Sequence, residues 1–93
     1  MIREEMINKL EQAFSPQKLD VIDESHLHAG HAGASDDGET HFRVRMVAAA
    51  FAGKSRIARQ REVFAVLDDE LAGPVHALAL KLKTPEEAAQ DEA

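Results

Sequence analysis

Cysteine is absent from all 93 residues. No disulfide can staple this chain, and no thiolate is present to hold zinc or an iron-sulfur cluster unaided. Soft-metal chemistry here must run through imidazole, and the lack of thiols suits a reducing compartment. No apolar run approaches the roughly 20 residues of a membrane span. The opening Met1-Ile2-Arg3-Glu4-Glu5-Met6 also lacks the apolar stretch of a signal peptide. A soluble, cytoplasmic protein with no membrane association is the expectation. Gly53-Lys54-Ser55 is no P-loop, because Ala48 stands where the first glycine of that motif belongs. No Gly-x-Ser-x-Gly context surrounds a serine, and no carboxylate pair stands out from the general acidity. These absences point to binding and away from enzyme catalysis.

Histidine is what the chain has in excess. Five are present, with His26, His28 and His31 in one Gly/Ala-rich stretch, and His41 and His76 elsewhere. Charge is unevenly placed. The formal net charge is -6, which argues against a non-specific nucleic-acid binder. Yet Arg43 to Arg61 holds six basic residues and no acid, while acids gather at Glu62 to Glu70 and Glu86 to Glu92. One basic face on an acidic domain is compatible with that pattern.

At this length one simple core is expected. Ile2, Met6, Leu10, Ala13 and Phe14 recur at helical spacing, so residues 2–14 read as an amphipathic helix ended by Ser15-Pro16. Leu19, Val21 and Ile22 mark a short strand over 18–24. Residues 25–38, rich in Gly, Ala, Ser, Asp and His, read as a long loop. Thr40 to Val47 alternates cleanly, with Phe42, Val44 and Met46 on one face and His41, Arg43 and Arg45 on the other. A helix is expected from Ser55 to Leu71, burying Ile57, Phe64, Leu67 and Leu71 with help from Val63, and stopped by Gly73-Pro74. A third strand covers Val75 to Lys83. Thr84-Pro85-Glu86-Glu87 then starts a short, acidic, fraying helix, with Thr84 as cap and Glu87 reaching back.

The order α-β-β-α-β(-α) predicts an α+β fold, a three-stranded mixed sheet with helices on one face. The first two strands should pair antiparallel, and the second and third, joined by a helical crossover, parallel. Residues 1–83 are expected as one domain and 84–93 as a short acidic tail.

By alternation His76 shares a face with Leu78, Leu80 and Leu82, the core side. It is either a partly buried histidine bonded to a carbonyl or a metal ligand at the sheet edge. His26, His28 and His31 match no standard zinc spacing. They are either solvated side chains that protonate near pH 6.5 or part of an open coordination set completed by a partner. Lys54, Arg56, Arg59 and Arg61 offer cations to phosphate from the start of a helix. The competing reading is an ordinary solvated helix face.

A string of segments carries a further signal: Asp23-Glu24-Ser25 followed by histidine, Gly38-Glu39-Thr40-His41-Phe42, Phe51-x-Gly53-x-Ser55, Arg59-x-Arg61, Glu70-Leu71 and Val75-His76-Ala77-Leu78. Through them the chain resembles the BolA family from Met1 to about Pro85, leaving the acidic tail outside. The resemblance implies a class II KH-like fold and a monothiol glutaredoxin partner in a heterodimer. It implies a [2Fe-2S] cluster shared with the glutaredoxin cysteine and glutathione, and no cofactor in the isolated protein. The associated roles are iron-sulfur cluster assembly or trafficking and the response to iron or redox stress. Carried over, His76 matches the C-terminal ligand. The second ligand falls on His28, with His31 its rival and His26 third. The family is also described as transcriptional regulators, a role that here would fall on Lys54, Arg56, Arg59 and Arg61 against duplex DNA. Gln60 departs from that pattern, standing where many members have histidine; it retains hydrogen-bonding capacity toward a base edge or phosphate.

Overall fold

A computed structural model describes residues 2–24 and 41–92. Helix α1 spans Ile2–Phe14 and buries Met6, Leu10 and Phe14, one residue per turn on a single stripe. Ala13 stays at the surface. The helix ends where Ser15 takes a left-handed φ of 46°, its N–H still donating to the Glu11 carbonyl at 2.9 Å. Pro16 then forbids continuation. Gln17 donates to the Val47 carbonyl at 2.8 Å and leads the chain into the sheet.

Strands β1 (Lys18–Asp23), β2 (His41–Val47) and β3 (Ala77–Lys83) lie in the order β1-β2-β3. β1 pairs antiparallel with β2, Val21 opposite Val44, and β2 pairs parallel with β3, Val44 opposite Leu80. This is the mixed sheet that the element order predicted. Val21, Phe42, Val44 and Met46 point to the core, with Leu78, Leu80 and Leu82 packed against it. Helix α1 packs against β1, and α2 (Arg56–Val66) packs against α1 and β3, so both cover the same face.

Between β2 and α2 the chain makes a tight 3-10 turn over Ala49–Phe51 that buries Phe51 completely. Its ring lies 5.2 Å from that of Phe14, which ties the turn to the end of α1. Gly53 follows at φ +75°, a conformation open to glycine at no steric cost. Ser55 caps α2, its Oγ accepting from the Ala58 N–H at 3.1 Å.

The helix expected from Ser55 to Leu71 is in fact two. α2 stops at Val66, Leu67 adopts φ -100° and ψ 21°, and α3 (Asp68–Ala72) begins with Asp68, Asp69 and Glu70 in its first turn. Carboxylates favour a helix N-terminus, so this acidic run suits a fresh start better than the interior of a continuing helix. The buried face matches expectation at Val63, Leu67 and the partly buried Leu71, and departs from it at Ile57 and Phe64. Val63 and Leu67 are fully buried, whereas Ile57 is 61% and Phe64 39% exposed. The inward stripe is Arg59, Val63 and Leu67, and Arg59 keeps its side chain only 11% exposed. Ile57, Arg61 and Phe64 occupy the opposite, outward stripe.

Among the described residues Glu70 is the buried carboxylate, its side chain 4% exposed. The Lys9 ammonium donates to both carboxylate oxygens, at 3.0 and 2.7 Å, and so bolts α1 to α3. That hydrogen bond holds Lys9 above its ordinary 10.5. The Glu70 carbonyl accepts from Gly73 and Val75, closing the turn that delivers β3. Helix α4 (Pro85–Glu92) follows β3 and packs against it.

The reassigned face of α2 is open to test. Leu67→Ala is expected to destabilise the fold by about 2–5 kcal/mol, while Ile57→Ala stays within about 0.5 kcal/mol of wild type. Urea unfolding of the two variants checks this, and the reverse ranking would restore Ile57 to the core.

Candidate functional site

Parallel pairing of β2 with β3 places the starts of both strands side by side. His41 is opposite Ala77, so His76 falls one residue before the ladder. The two imidazole rings stack with centroids 6.4 Å apart and planes 29° from parallel. His41 is half-buried and His76 exposed. The alternation that put His76 on the core side fails because β3 begins only at Ala77; Val75, 3% exposed, takes the buried place. At the same end of the sheet, Glu24 donates its N–H to the His41 carbonyl at 2.8 Å. Its carboxylate pairs with Arg43 at 3.1 Å. The chain therefore leaves β1 and enters β2 beside His76.

His26, His28 and His31 lie outside the described residues. Among the described residues no group of three or more His, Asp or Glu side chains is placed to hold a metal ion. His76 and His41 offer two nitrogen donors at most, so a metal centre at this end needs ligands from elsewhere.

The basic residues of α2 divide into two kinds. Arg59 is spent inside the protein. Its Nε donates to the Lys54 carbonyl at 3.0 Å and its Nη1 to the Leu82 carbonyl at 3.2 Å. Nη1 and Nη2 reach the two Glu87 oxygens at 2.6 and 3.2 Å. The guanidinium also lies 5.9 Å from the centre of the Phe51 ring. Lys54 pairs with Glu62 at 2.7 Å. Arg56 and Arg61 are exposed and form no ion pair among the described residues. Of the cations expected to face phosphate, these two are the ones at liberty.

The predicted cap of α4 is present. Thr84 donates its N–H to Glu87 Oε1 at 2.9 Å, and Glu87 donates its own to Thr84 Oγ1 at 3.2 Å. Arg59 turns that local device into a tertiary one, fastening the first turn of α4 to α2. The Arg59–Glu87 contact spans 28 residues, and nothing in local spacing announces it. The Arg59 hydrogen bonds, reinforced by the Thr84 N–H, draw the Glu87 carboxyl down to about 2 from 4.5.

Comparison with known proteins agrees with this architecture. A family model described as BolA-like protein matches residues 10–87. SufE-like protein 1, chloroplastic/mitochondrial, of Arabidopsis thaliana is 49% identical over 83 residues, covering 85% of this chain and 22% of that protein. BolA-like protein 1 of Mus musculus is 53% identical over 77 residues, covering 83% of this chain and 53% of that protein. The chain thus spans less than two thirds of the length of both relatives. The solved BolA domain of SufE1 from Arabidopsis thaliana superposes with a TM-score of 0.83 at 45% identity, covering 91% of this chain and 93% of that one. The sheet order, the helices on one face and the histidine-bearing end define a small α+β domain. The chain belongs to the BolA-like family. Among the described residues no helix is long and apolar enough to cross a membrane. Two relatives carry organellar names, so membership of the family does not place the chain in the cytoplasm.

Because the folded carboxyl of Glu87 titrates below its unfolded value, its stabilisation is complete above pH 4.5 and lost as pH falls through about 2. The stability difference between wild type and Glu87→Ala is expected to be present at pH 7 and to shrink over that window. Amide NMR of α4 and thermal unfolding measure it; a difference independent of pH would refute the Arg59–Glu87 linkage.

Proposed function

We propose that this protein donates imidazole to an iron-sulfur cluster shared with a monothiol glutaredoxin, acting in cluster assembly or trafficking and in the response to iron or redox stress. The observation that carries this reading is the exposed His76 ring, stacked beside His41 where the chain leaves β1 and enters β2. The donor chemistry fits a [2Fe-2S] centre held jointly. The chain has no thiol, and its described residues hold no self-sufficient ligand set. A partner's cysteine and glutathione supply the thiolates in this reading, and nitrogen ligation raises the cluster's potential. His76 is the ligand on the folded scaffold, and His28 is the second, with His31 its rival. The protein's part is to present nitrogen at a rigid sheet end, a binding role and not a catalytic one. Cytoplasmic action is part of this proposal.

Mixing the full chain with cluster-loaded monothiol glutaredoxin is expected to change the visible absorption and circular dichroism of the cluster. His76→Ala abolishes that change with the fold intact, and one of His28→Ala or His31→Ala does so as well. An unchanged spectrum on mixing, or a His76→Ala variant that behaves as wild type, would end this reading.

A second reading, duplex DNA binding, is favoured by the exposure of Arg56 and Arg61 beside the outward Ile57 and Phe64. It predicts salt-dependent binding, with Arg56→Ala and Arg61→Ala each lowering the slope of log K against log salt by about 1. Absence of binding at low salt would exclude it. Arg59→Ala is no test of this reading, since it releases α4.

A further inference from the structure

The face of the sheet turned away from α1 and α2 is largely exposed, with α4 against one corner, and its register sorts charge. Lys18, Val47 and Lys83 form one row across the strands, and Asp20, Arg45 and Lys81 the next. Ile22, Arg43 and Ala79 follow. On a chain of net charge -6, these three rows carry five cations and one acid. Arg43 is neutralised by Glu24 and Lys83 by Asp91 of α4. Lys18, Arg45 and Lys81 are exposed and have no ion pair among the described residues. Arg45 and Lys81 are direct neighbours in the ladder. Like charges placed opposite one another weaken a sheet, and the one acid of the row, Asp20 opposite Arg45, offsets only part of the positive field of this pair.

Next to that pair lies a cleft of about 320 Å3, with Val47 and Ala88 as its apolar lining and Lys18, Arg45, Lys81 and Lys83 around it. Two carboxylates stand among these four cations, Asp20 of β1 and Asp91, which reaches Lys83 from α4. We infer that this face is a docking surface for an acidic polypeptide segment of a partner protein, one that sets carboxylates on Lys18, Arg45 and Lys81 with a small apolar residue over Val47. The Asp91 contact is the internal example of that chemistry, a helix-borne carboxylate seated on a lysine of this face. Nucleic acid fits less well. Single-strand platforms stack bases on aromatic rings, and none stands in these three rows. Lys81 lies five residues along from His76, roughly 17 Å at the rise of a strand, so the surface is separate from the histidine end and does not depend on the cluster reading.

The test uses the full chain and fluorescein-labelled hexaglutamate, followed by anisotropy and by amide NMR. Binding at about 0.02 M salt that weakens steeply by about 0.3 M is expected. The shifts should fall on 18–20, 45–47, 81–83 and 88–91. The double variant Arg45→Glu, Lys81→Glu is expected to bind about tenfold more weakly or worse, with Arg45→Gln, Lys81→Gln as the milder pair should charge reversal disturb the fold by circular dichroism. Absence of binding, shifts confined to α2, or variants that bind as wild type would overturn the inference. Tighter binding at the same residues by a single-stranded oligonucleotide of equal charge would overturn it in favour of nucleic acid.

Discussion

The Arg59 guanidinium is the contact on which most of the architecture leans. It touches the carbonyl that ends the β2–α2 connection, the carbonyl near the end of β3, and the carboxylate that starts α4, while lying near the buried Phe51 ring. Two stretches of chain, 51–54 before α2 and 82–87 at the β3–α4 junction, meet on one side chain. A planar, permanently charged fork can serve several acceptors at once, which lysine cannot do. The carboxylate of Glu87 balances the charge, so the guanidinium sits largely out of water with a partner for it. Without that anchor α4 would be left with its own cap, its packing on β3 and the Asp91–Lys83 pair, a weaker hold for a helix of 8 residues.

A second constraint is set by Lys9 and Glu70. Burying Glu70 is tolerable because the ammonium meets both of its oxygens. The pair also settles where α3 lies, since a carboxylate held this way permits little sliding of α3 along α1. The break at Leu67 is the accommodation: it lets Leu67 stay in the core and still turns Glu70 toward Lys9. The Ile57–Arg61–Phe64 stripe then faces outward, which leaves two large apolar side chains and a cation at the surface of α2.

Much of this was legible from residue order. Met6, Leu10 and Phe14 mark the inward face of α1 by period alone, and Phe42, Val44 and Met46 do the same for β2. Thr84 and Glu87 announce the α4 cap through their spacing. The rest depends on contacts and boundaries that local pattern does not carry. An arginine on a helix looks like a solvated cation, so the expected buried face takes in Ile57 and Phe64 beside Val63 and Leu67 and leaves out Arg59. The partner that neutralises Arg59 lies 28 residues away, and no local pattern carries that information. His76 was assigned to the wrong side because alternation applies only inside a ladder, and the ladder starts one residue later. The split between α2 and α3 is likewise tertiary, since a helical period runs through Leu67 without interruption. Of the candidate ligands, His76 is placed by the fold, whereas His28 and His31 lie in a part of the chain that β1 and β2 bracket.

The parallel β2–β3 pairing has a kinetic side. His41 and Ala77 face each other across 36 positions of chain, and that whole stretch must close into a loop before the ladder can pair. Loop-closure entropy is spent early in such a step and returned only when the strands meet, which makes non-local parallel pairing slow compared with helix or hairpin formation. The two stacked imidazoles therefore become neighbours only when this non-local pairing forms. In a chain emerging from synthesis or recovering from denaturation, a ligand that requires both rings would distinguish finished molecules from those still assembling.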